Sequence, residues 1–189
     1  MTDFILSIDF FILDFIRAHC SCAFLDAAMP VITNLNNRGE IWIFIGLCLL
    51  FTKRYKKYGA YLLIGLLVGL FLGNGVLKNL IARPRPFHIR PEISLIIPPP
   101  GAFSFPSGHT LSSFIAAFIL LKADKRLGIG GLVLASLIAF SRMYLYVHFL
   151  TDILGAILLA GVISYVVLRV GEKLTKPGKW YRKNCEKNG

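Results

Sequence analysis

Residues 58–77, YGAYLLIGLLVGLFLGNGVL, form a twenty-residue run without a charged side chain. At about 1.5 Å per residue, a helix of that length crosses roughly 30 Å of hydrocarbon. A soluble protein would have to cover such a helix on every side. This chain has little with which to do so: of its 189 residues 56% are hydrophobic and 16% charged, against roughly 25% charged in an average soluble domain. The composition excludes a disordered chain and points to an integral membrane protein.

Other segments follow the same logic. Residues 127–140 and 153–168 are free of charge and reach spanning length when extended to Val147 and back to His148. Residues 41–51 and 111–121 are shorter and complete a crossing by taking in residues 38–40 and 106–110. Residues 23–33 give a short crossing that ends in the polar turn 34–39. The N-terminus differs, because the apolar stretch 4–16 is interrupted by Asp9 and Asp14, and Asp3, Ser7, Asp14 and Arg17 share one broad helical sector. That pattern predicts an amphipathic helix lying in the membrane interface over residues 1–20. An acidic start without a small-residue cleavage site argues against a secretory signal. The expected fold is all-α: one membrane-embedded domain over 1–189, a polytopic bundle of about six transmembrane helices behind the interfacial helix, with a basic tail at 171–189.

The net charge of +11 comes from 21 Lys+Arg against 10 Asp+Glu. Lys53, Arg54, Lys56 and Lys57 share one connection, Lys122, Lys125 and Arg126 another, and Lys173, Lys176, Lys179, Arg182, Lys183 and Lys187 the tail. Alternate crossing puts all three on one face, which the positive-inside rule makes cytoplasmic. Topology and anionic headgroups account for these charges without nucleic acid. Lys78, Arg83, Arg85, Arg90 and Arg142, with Arg38 nearby, fall on the opposite face, where few are expected. Something anionic should be met there. The connection 83–106 carries Pro84, Pro86, Pro91, Pro98, Pro99 and Pro100, so it reads as an outer loop, its apolar stretches 93–97 and 102–105 suited to rest on the bilayer. Cys20, Cys22, Cys48 and Cys185 form no CxxC pair and read as small fillers. His19 and His88 carry no evident chemistry.

Three polar clusters stand at the outer ends of three spans: KNLIARPRP from Lys78, PSGH at residues 106–109, and SRMYLYVHFLTD from Ser141 to Asp152. His148 and Asp152, four apart at the start of the last span, would share a helix face. The carboxylate then orients one ring nitrogen and leaves the other as a nucleophile. Ser107 can cap the helix that follows it, and Gly108 lets the backbone approach a ligand at amides suited to an anion. His109 is placed to donate a proton to a leaving oxygen. Lys78, Arg85 and Arg142 supply cations matched to phosphate oxygens, which is most of what phosphoryl transfer asks of a protein. Arg83 and Arg90 fit less directly and are assigned to the interface or to headgroup contact.

In that order K-x6-RP, PSGH and SR-x5-H-x3-D resemble the three signatures of the type 2 phosphatidic acid phosphatase superfamily, which also includes bacterial haloperoxidase relatives. The resemblance implies a six-helix membrane phosphatase acting on lipid phosphates without a metal or other cofactor. His148 would form a phosphohistidine, Asp152 would orient it, and His109 would protonate the leaving lipid oxygen and later activate water. Lys78, Arg85 and Arg142 would hold the phosphoryl oxygens, with donors from Ser107 and Gly108. The short chain is similar to small bacterial members: undecaprenyl pyrophosphate phosphatases, phosphatidylglycerophosphate phosphatases and lipid A 1-phosphatases. The implied setting is the cytoplasmic membrane, with the site on its outer side. The implied partners are the lipid phosphate substrate and membrane lipids, without nucleic acid or an obligate protein partner. A lipid-to-lipid phosphotransferase shares the first half-reaction. An anion transporter is disfavoured, since no span is broken at mid-membrane. A metal hydrolase ligated by His109, His148 and Asp152 is disfavoured by the surrounding cations, and a vanadium-dependent oxidase by a site embedded in lipid.

Overall fold

The computed structural model of the chain describes residues 2–175, and every regular element among them is helical. Lys176, Lys179, Arg182, Lys183 and Lys187 of the expected tail, and Cys185, lie outside the described residues. Helix α1 covers Thr2–Cys20, α2 Ala23–Asn34 and α3 Glu40–Leu50. Helix α4, Lys56–Gly69, runs without a break into a π-helical stretch, Leu70–Leu77, and a last turn α5, Lys78–Ile81. A one-turn helix α6, Pro86–Ile89, lies in the long loop, followed by α7 Gly108–Ala123, α8 Lys125–Tyr144 and α9 Leu150–Thr175. Three helical stretches, Lys56–Ile89, Lys125–Tyr144 and Leu150–Leu174, are long and apolar enough to cross a membrane on those grounds alone; Glu40–Leu50 and Gly108–Ala123 are shorter apolar helices. Their outward faces carry exposed Leu67, Phe71, Leu158 and Val162, the inverse of a soluble helix. This is a membrane protein, solvated by lipid where a soluble bundle would be polar.

The shorter helix α7 is the centre of the bundle, with nine of its sixteen residues buried. It packs against α4, α8 and α9. Gly65, Gly69 and Gly73 recur every four residues along one face of α4 and its π-helical extension, and a Cβ added at them would come within 2.8, 2.6 and 2.5 Å of Ile115 or Leu111 side chains. Small residues at that spacing let two helices in lipid approach closely. Ala117 and Leu120 of α7 meet Gly131 of α8 in the same way.

At one end of the bundle Arg54 pairs with Asp124 at 3.6 Å, Tyr55 donates to Asp124, and Lys122 meets Glu172 at 3.8 Å. The basic α3–α4 and α7–α8 connections and the last turns of α9 therefore lie together. The other end gathers the α2–α3 turn, the loop from Ala82 to Ser107 and the connection between α8 and α9.

Helix α1 forms as expected, and two of its acids meet protein: Asp9 is fully buried, and Asp14 pairs with Arg90 at 2.7 Å and accepts from the Tyr146 hydroxyl. Phe10, Leu13 and Ile16 of the same helix bury against the α8–α9 region. The apolar stretches 93–97 and 102–105 of the Pro-rich loop are divided between protein contact and exposure. Ile93, Leu95 and Ile97 pack into the clusters made with α1, and the Phe105 ring lies against Gly155 of α9. Ile96 and Phe103 stay exposed. Helix α1 supplies the apolar protein surface for Ile93, Leu95 and Ile97.

Candidate active site

Helix α7 begins at a built N-terminus. Ser107 caps it, its hydroxyl accepting from the Thr110 amide, while its own amide donates to the Asp152 carbonyl and ties α7 to α9. The Gly108 and His109 amides that follow have no partner among the described residues, as expected for the open donors of a helix start. A Cβ at Gly108 would stand 3.1 Å from the Asn74 amide oxygen of the π-helical stretch. The α2–α3 turn is pinned beside this start. Asn36 is buried with Nδ2 2.9 Å from the His109 carbonyl and from the Ser112 and Ser113 hydroxyls, and Trp42 donates to Ser113. Buried His109 Nε2 has no hydrogen-bond partner among the described residues.

His148 is not on a helix. Helix α8 unwinds through Leu145, whose amide donates to Ser141 O, and Val147, whose amide donates to Arg142 O. Tyr146 between them has φ +59, a left-handed value that an aromatic residue seldom adopts. Its hydroxyl donates to Asp14 at 2.9 Å and takes a bond from Arg90 at 3.3 Å, so the conformation is held from two sides. The turn brings His148 back over the start of α9, where Asp152 sits in the first turn. Asp152 Oδ2 accepts from the Phe149 amide at 2.9 Å and stands 3.5 Å from His148 Nδ1. The expected contact therefore exists, but it comes from a carboxylate reaching back over a helix start and not from two residues sharing a helix face. The Ser104 hydroxyl donates to the same oxygen and lies 3.4 Å from Nδ1. Burial pushes the His148 pKa down to about 3; the Asp152 bond opposes this, while Arg85 and Arg142 reinforce it. The ring is neutral and keeps a lone pair.

Arg85 is buried, and four of its five N–H groups are engaged: with Ala102 O, Gly101 O, Val147 O and, at 3.2 Å, His148 Nε2. One donor remains for a ligand. Arg142 donates to Thr33 Oγ1 at 2.6 Å, and its buried Nε has no partner among the described residues. Lys78 and Arg38 make no ion pair among the described residues. Arg83 and Arg90 are held by acids of α1. Arg83 bonds Asp9, Asp152 and Thr151, and Arg90 bonds Asp14 and stands over the Phe10 ring.

These groups border one cavity of about 750 Å³. Lys78, Arg85, Gly108, His109, Arg142 and His148 line it; Ser107 and Asp152 do not reach it and stand behind as supports. No carboxylate is among the lining residues. Asn37, Arg38 and Asn74 also line it, as do apolar Ile43 of α3, Leu63, Leu66 and Leu67 of α4, and Leu70. Leu67 and Leu70 are both exposed large apolar residues of the α4 segment, which is long and apolar enough to cross a membrane. His19 bonds the Phe15 carbonyl and stacks on the Phe15 ring, and His88 packs on Phe87; neither enters the cavity. Sequence reasoning missed Ser104, Asn36, Thr33 and Asp9. A signal was available for Asp9, since an acid within an apolar helix is by default a functional candidate; the others leave no local trace.

Residues 55–176 match the family described as the PAP2 superfamily. The undecaprenyl-diphosphatase of Sulfolobus acidocaldarius is 35% identical over 134 residues, 70% of this chain and 65% of that protein. Phosphatidylglycerophosphatase B of Bacillus subtilis is 33% identical over 123 residues, 59% of this chain and 60% of that protein. The chain thus spans less than two thirds of either relative. The crystal structure of the transmembrane PAP2 type phosphatidylglycerolphosphate phosphatase from Bacillus subtilis superposes with a TM-score of 0.74 at 27% identity, covering 91% of this chain and 88% of that one. The matched stretch contains every residue from Lys78 to Asp152 that the cavity and its supports draw on, and on that ground the chain belongs to the PAP2 superfamily.

Proposed function

We propose that this protein is a metal-independent phosphatase of membrane lipid phosphates or diphosphates, working through a phosphohistidine. The observation that carries the reading is the cavity itself. It offers neutral His148, three cations and two open amides with no carboxylate facing them, together with apolar side chains of α3 and the α4 segment. An amphiphile with an anionic head fits both at once. His148 Nε2 attacks phosphorus, forming the N–P bond as the P–O bond to the lipid breaks. Asp152 takes up the proton side of the ring, and Lys78, Arg85, Arg142 and the Gly108 and His109 amides stabilise the equatorial oxygens. His109, protonated beside the bound phosphate dianion, gives its proton to the leaving oxygen and then recovers one from the water that cleaves the N–P bond. Ser107 acts by holding these amides in place.

The reading extends to topology: six crossings formed by α2, α3, the long α4 segment, α7, α8 and α9, with the basic connections cytoplasmic and the site extracytoplasmic. Among candidate lipids, undecaprenyl pyrophosphate, phosphatidylglycerophosphate and lipid A 1-phosphate, a substrate with two phosphate groups is favoured by Arg38. That cation lines the same cavity as Lys78, Arg85 and Arg142 and has no ion pair among the described residues, so it is free to meet a second phosphate. The test is phosphate release by detergent-purified protein from these three lipids and phosphatidic acid, with and without chelator. Release that resists chelator and vanishes in His148→Ala is expected. Release from none of them, or full release by His148→Ala, sinks the reading; radiolabel appearing on an acceptor lipid instead of free phosphate would mark a phosphotransferase.

A further inference from the structure

Asp9 lies in α1, far in sequence from the three clusters, and is fully buried. A carboxylate is costly in an apolar setting unless it is paired, and all of its partners belong to the support of the site. Oδ1 accepts from the Thr151 amide at 3.0 Å, and Oδ2 accepts from the Thr151 hydroxyl and from Arg83 Nη2 at 2.7 Å. Through Nη1, Arg83 donates to Asp152 Oδ1 at 2.6 Å. Its carbonyl accepts from the Ser104 amide at 2.8 Å, and the Ser104 hydroxyl holds the other Asp152 oxygen. The guanidinium lies over Phe149, its Cζ 4.1 Å from the ring centroid, and Phe149 meets Phe10 of α1 edge-on. Asp152 is thereby gripped on both oxygens, and one grip is anchored in α1. Arg83 does not line the cavity, so this cation is not one more phosphate ligand.

We propose that Asp9 and Arg83 form a positioning strut: Asp9 fixes the guanidinium at one end so that its other end holds the Asp152 carboxylate, and through it the His148 ring, in line for attack on phosphorus. The strut gives α1 a part in the chemistry without contact to substrate, and it rests on the phosphohistidine reading above. An arginine bonded at both ends has few ways to move. With Asp9 neutral, the guanidinium keeps one charged partner, and Asp152 can rotate with it away from Nδ1. A displacement of about 1 Å at a reacting group costs on the order of a hundredfold in rate.

The experiment is rapid-quench measurement of phosphoenzyme formation by the detergent-purified full chain, using labelled lipid substrate, for wild type, Asp9→Asn, Arg83→Gln and the double variant. The amplitude counts folded, competent molecules, and the rate constant per competent molecule reports alignment. A strut predicts rate constants lowered by about tenfold or more in both single variants, with the double variant no slower than the worse single one, because both act through one contact. A rate constant lowered by less than about fivefold in either single variant overturns the strut, even where the amplitude falls, since α1 would then only hold the fold together. A double loss close to the product of the single losses overturns it as well. If wild type itself forms no phosphoenzyme, the phosphohistidine reading fails, an outcome separate from failure of the strut.

Discussion

Arg54 reaches Asp124 at 3.6 Å with 76% of its side chain exposed, whereas Arg83, 20% exposed, bonds Asp9 and Asp152 at 2.7 and 2.6 Å, both with no exposed area. The two arginines belong to opposite ends of one helix bundle. At the first end, cations stand in solvent or headgroups, where an ion pair gains little over water. At the second, burial makes every unsatisfied charge costly, so the chain supplies partners: four donors of Arg85 are engaged, and Arg142 is anchored on Thr33. The difference shows where an anion is wanted. Arg83, bonded to Asp9, Thr151 and Asp152 and absent from the cavity lining, is support, while Arg142 Nε and the Lys78 ammonium, without an ion pair among the described residues, keep donors for a ligand beside His148. A count of basic residues per face cannot draw that distinction; burial and hydrogen bonding can.

The comparison is tested most severely at His148. His148→Ala should lose at least about a thousandfold in kcat and form no phosphoenzyme. Arg142→Ala, which removes a cation that the buried end keeps open for phosphate, should lower kcat/KM by about a hundredfold or more. Arg38→Ala, which removes a further cation from the cavity lining, should cut the preference for a diphosphate over a monophosphate lipid by about tenfold; an unchanged ratio of kcat/KM values would remove Arg38 from substrate reading. The acidity of His148 sharpens the same contrast. Because burial holds its pKa near 3, against an ordinary value of 6.5, the nucleophile stays neutral as pH falls through 6.5 and is lost only far below it. The enzyme's own acid limb in kcat/KM, corrected for titration of the substrate phosphate, should therefore lie below about pH 5. A limb near 6.5 would mean a solvated ring and a buried end less dry than described.

The sequence carried the helices because lipid-facing helices need continuous apolar runs, and each expected span has its helix: residues 58–77 fall within Lys56–Ile81, and residues 127–140 within α8. It carried Lys78, Arg85, Gly108, His109, Arg142 and His148 because their chemistry sits in compact spacings, and the fold brings all six to one cavity. What it did not carry is long-range pairing. Asp9 and Arg83 are 74 residues apart, Ser104 and Asp152 are 48 apart, and Asn36 meets Ser113 across 77. No periodicity records such pairs. The geometry of His148 was also hidden, because a spacing of four is the same whether the residues share a helix or one reaches back over a helix start. The π-helical stretch Leu70–Leu77, which places Asn74 on the cavity wall, reads in sequence as ordinary helix.

The smallest expected effects belong to the other end. Arg54→Ala and Lys122→Ala each remove one member of an exposed pair at 3.6 or 3.8 Å, and water and headgroups replace what is lost. Phosphate release should change by less than about twofold in either variant, and raising salt should narrow even that difference because exposed charges are screened within about 10 Å at 0.1 M. The contrast with Arg142→Ala is then close to two orders of magnitude for residues of the same charge in one small protein. A tenfold loss in Arg54→Ala would break the comparison, since it would require the α3–α4 connection to act on the cavity through the length of α4. The Gly65, Gly69 and Gly73 stripe against α7 would be the place to look for that coupling, because it is where a shift of α4 would meet the helix that carries His109.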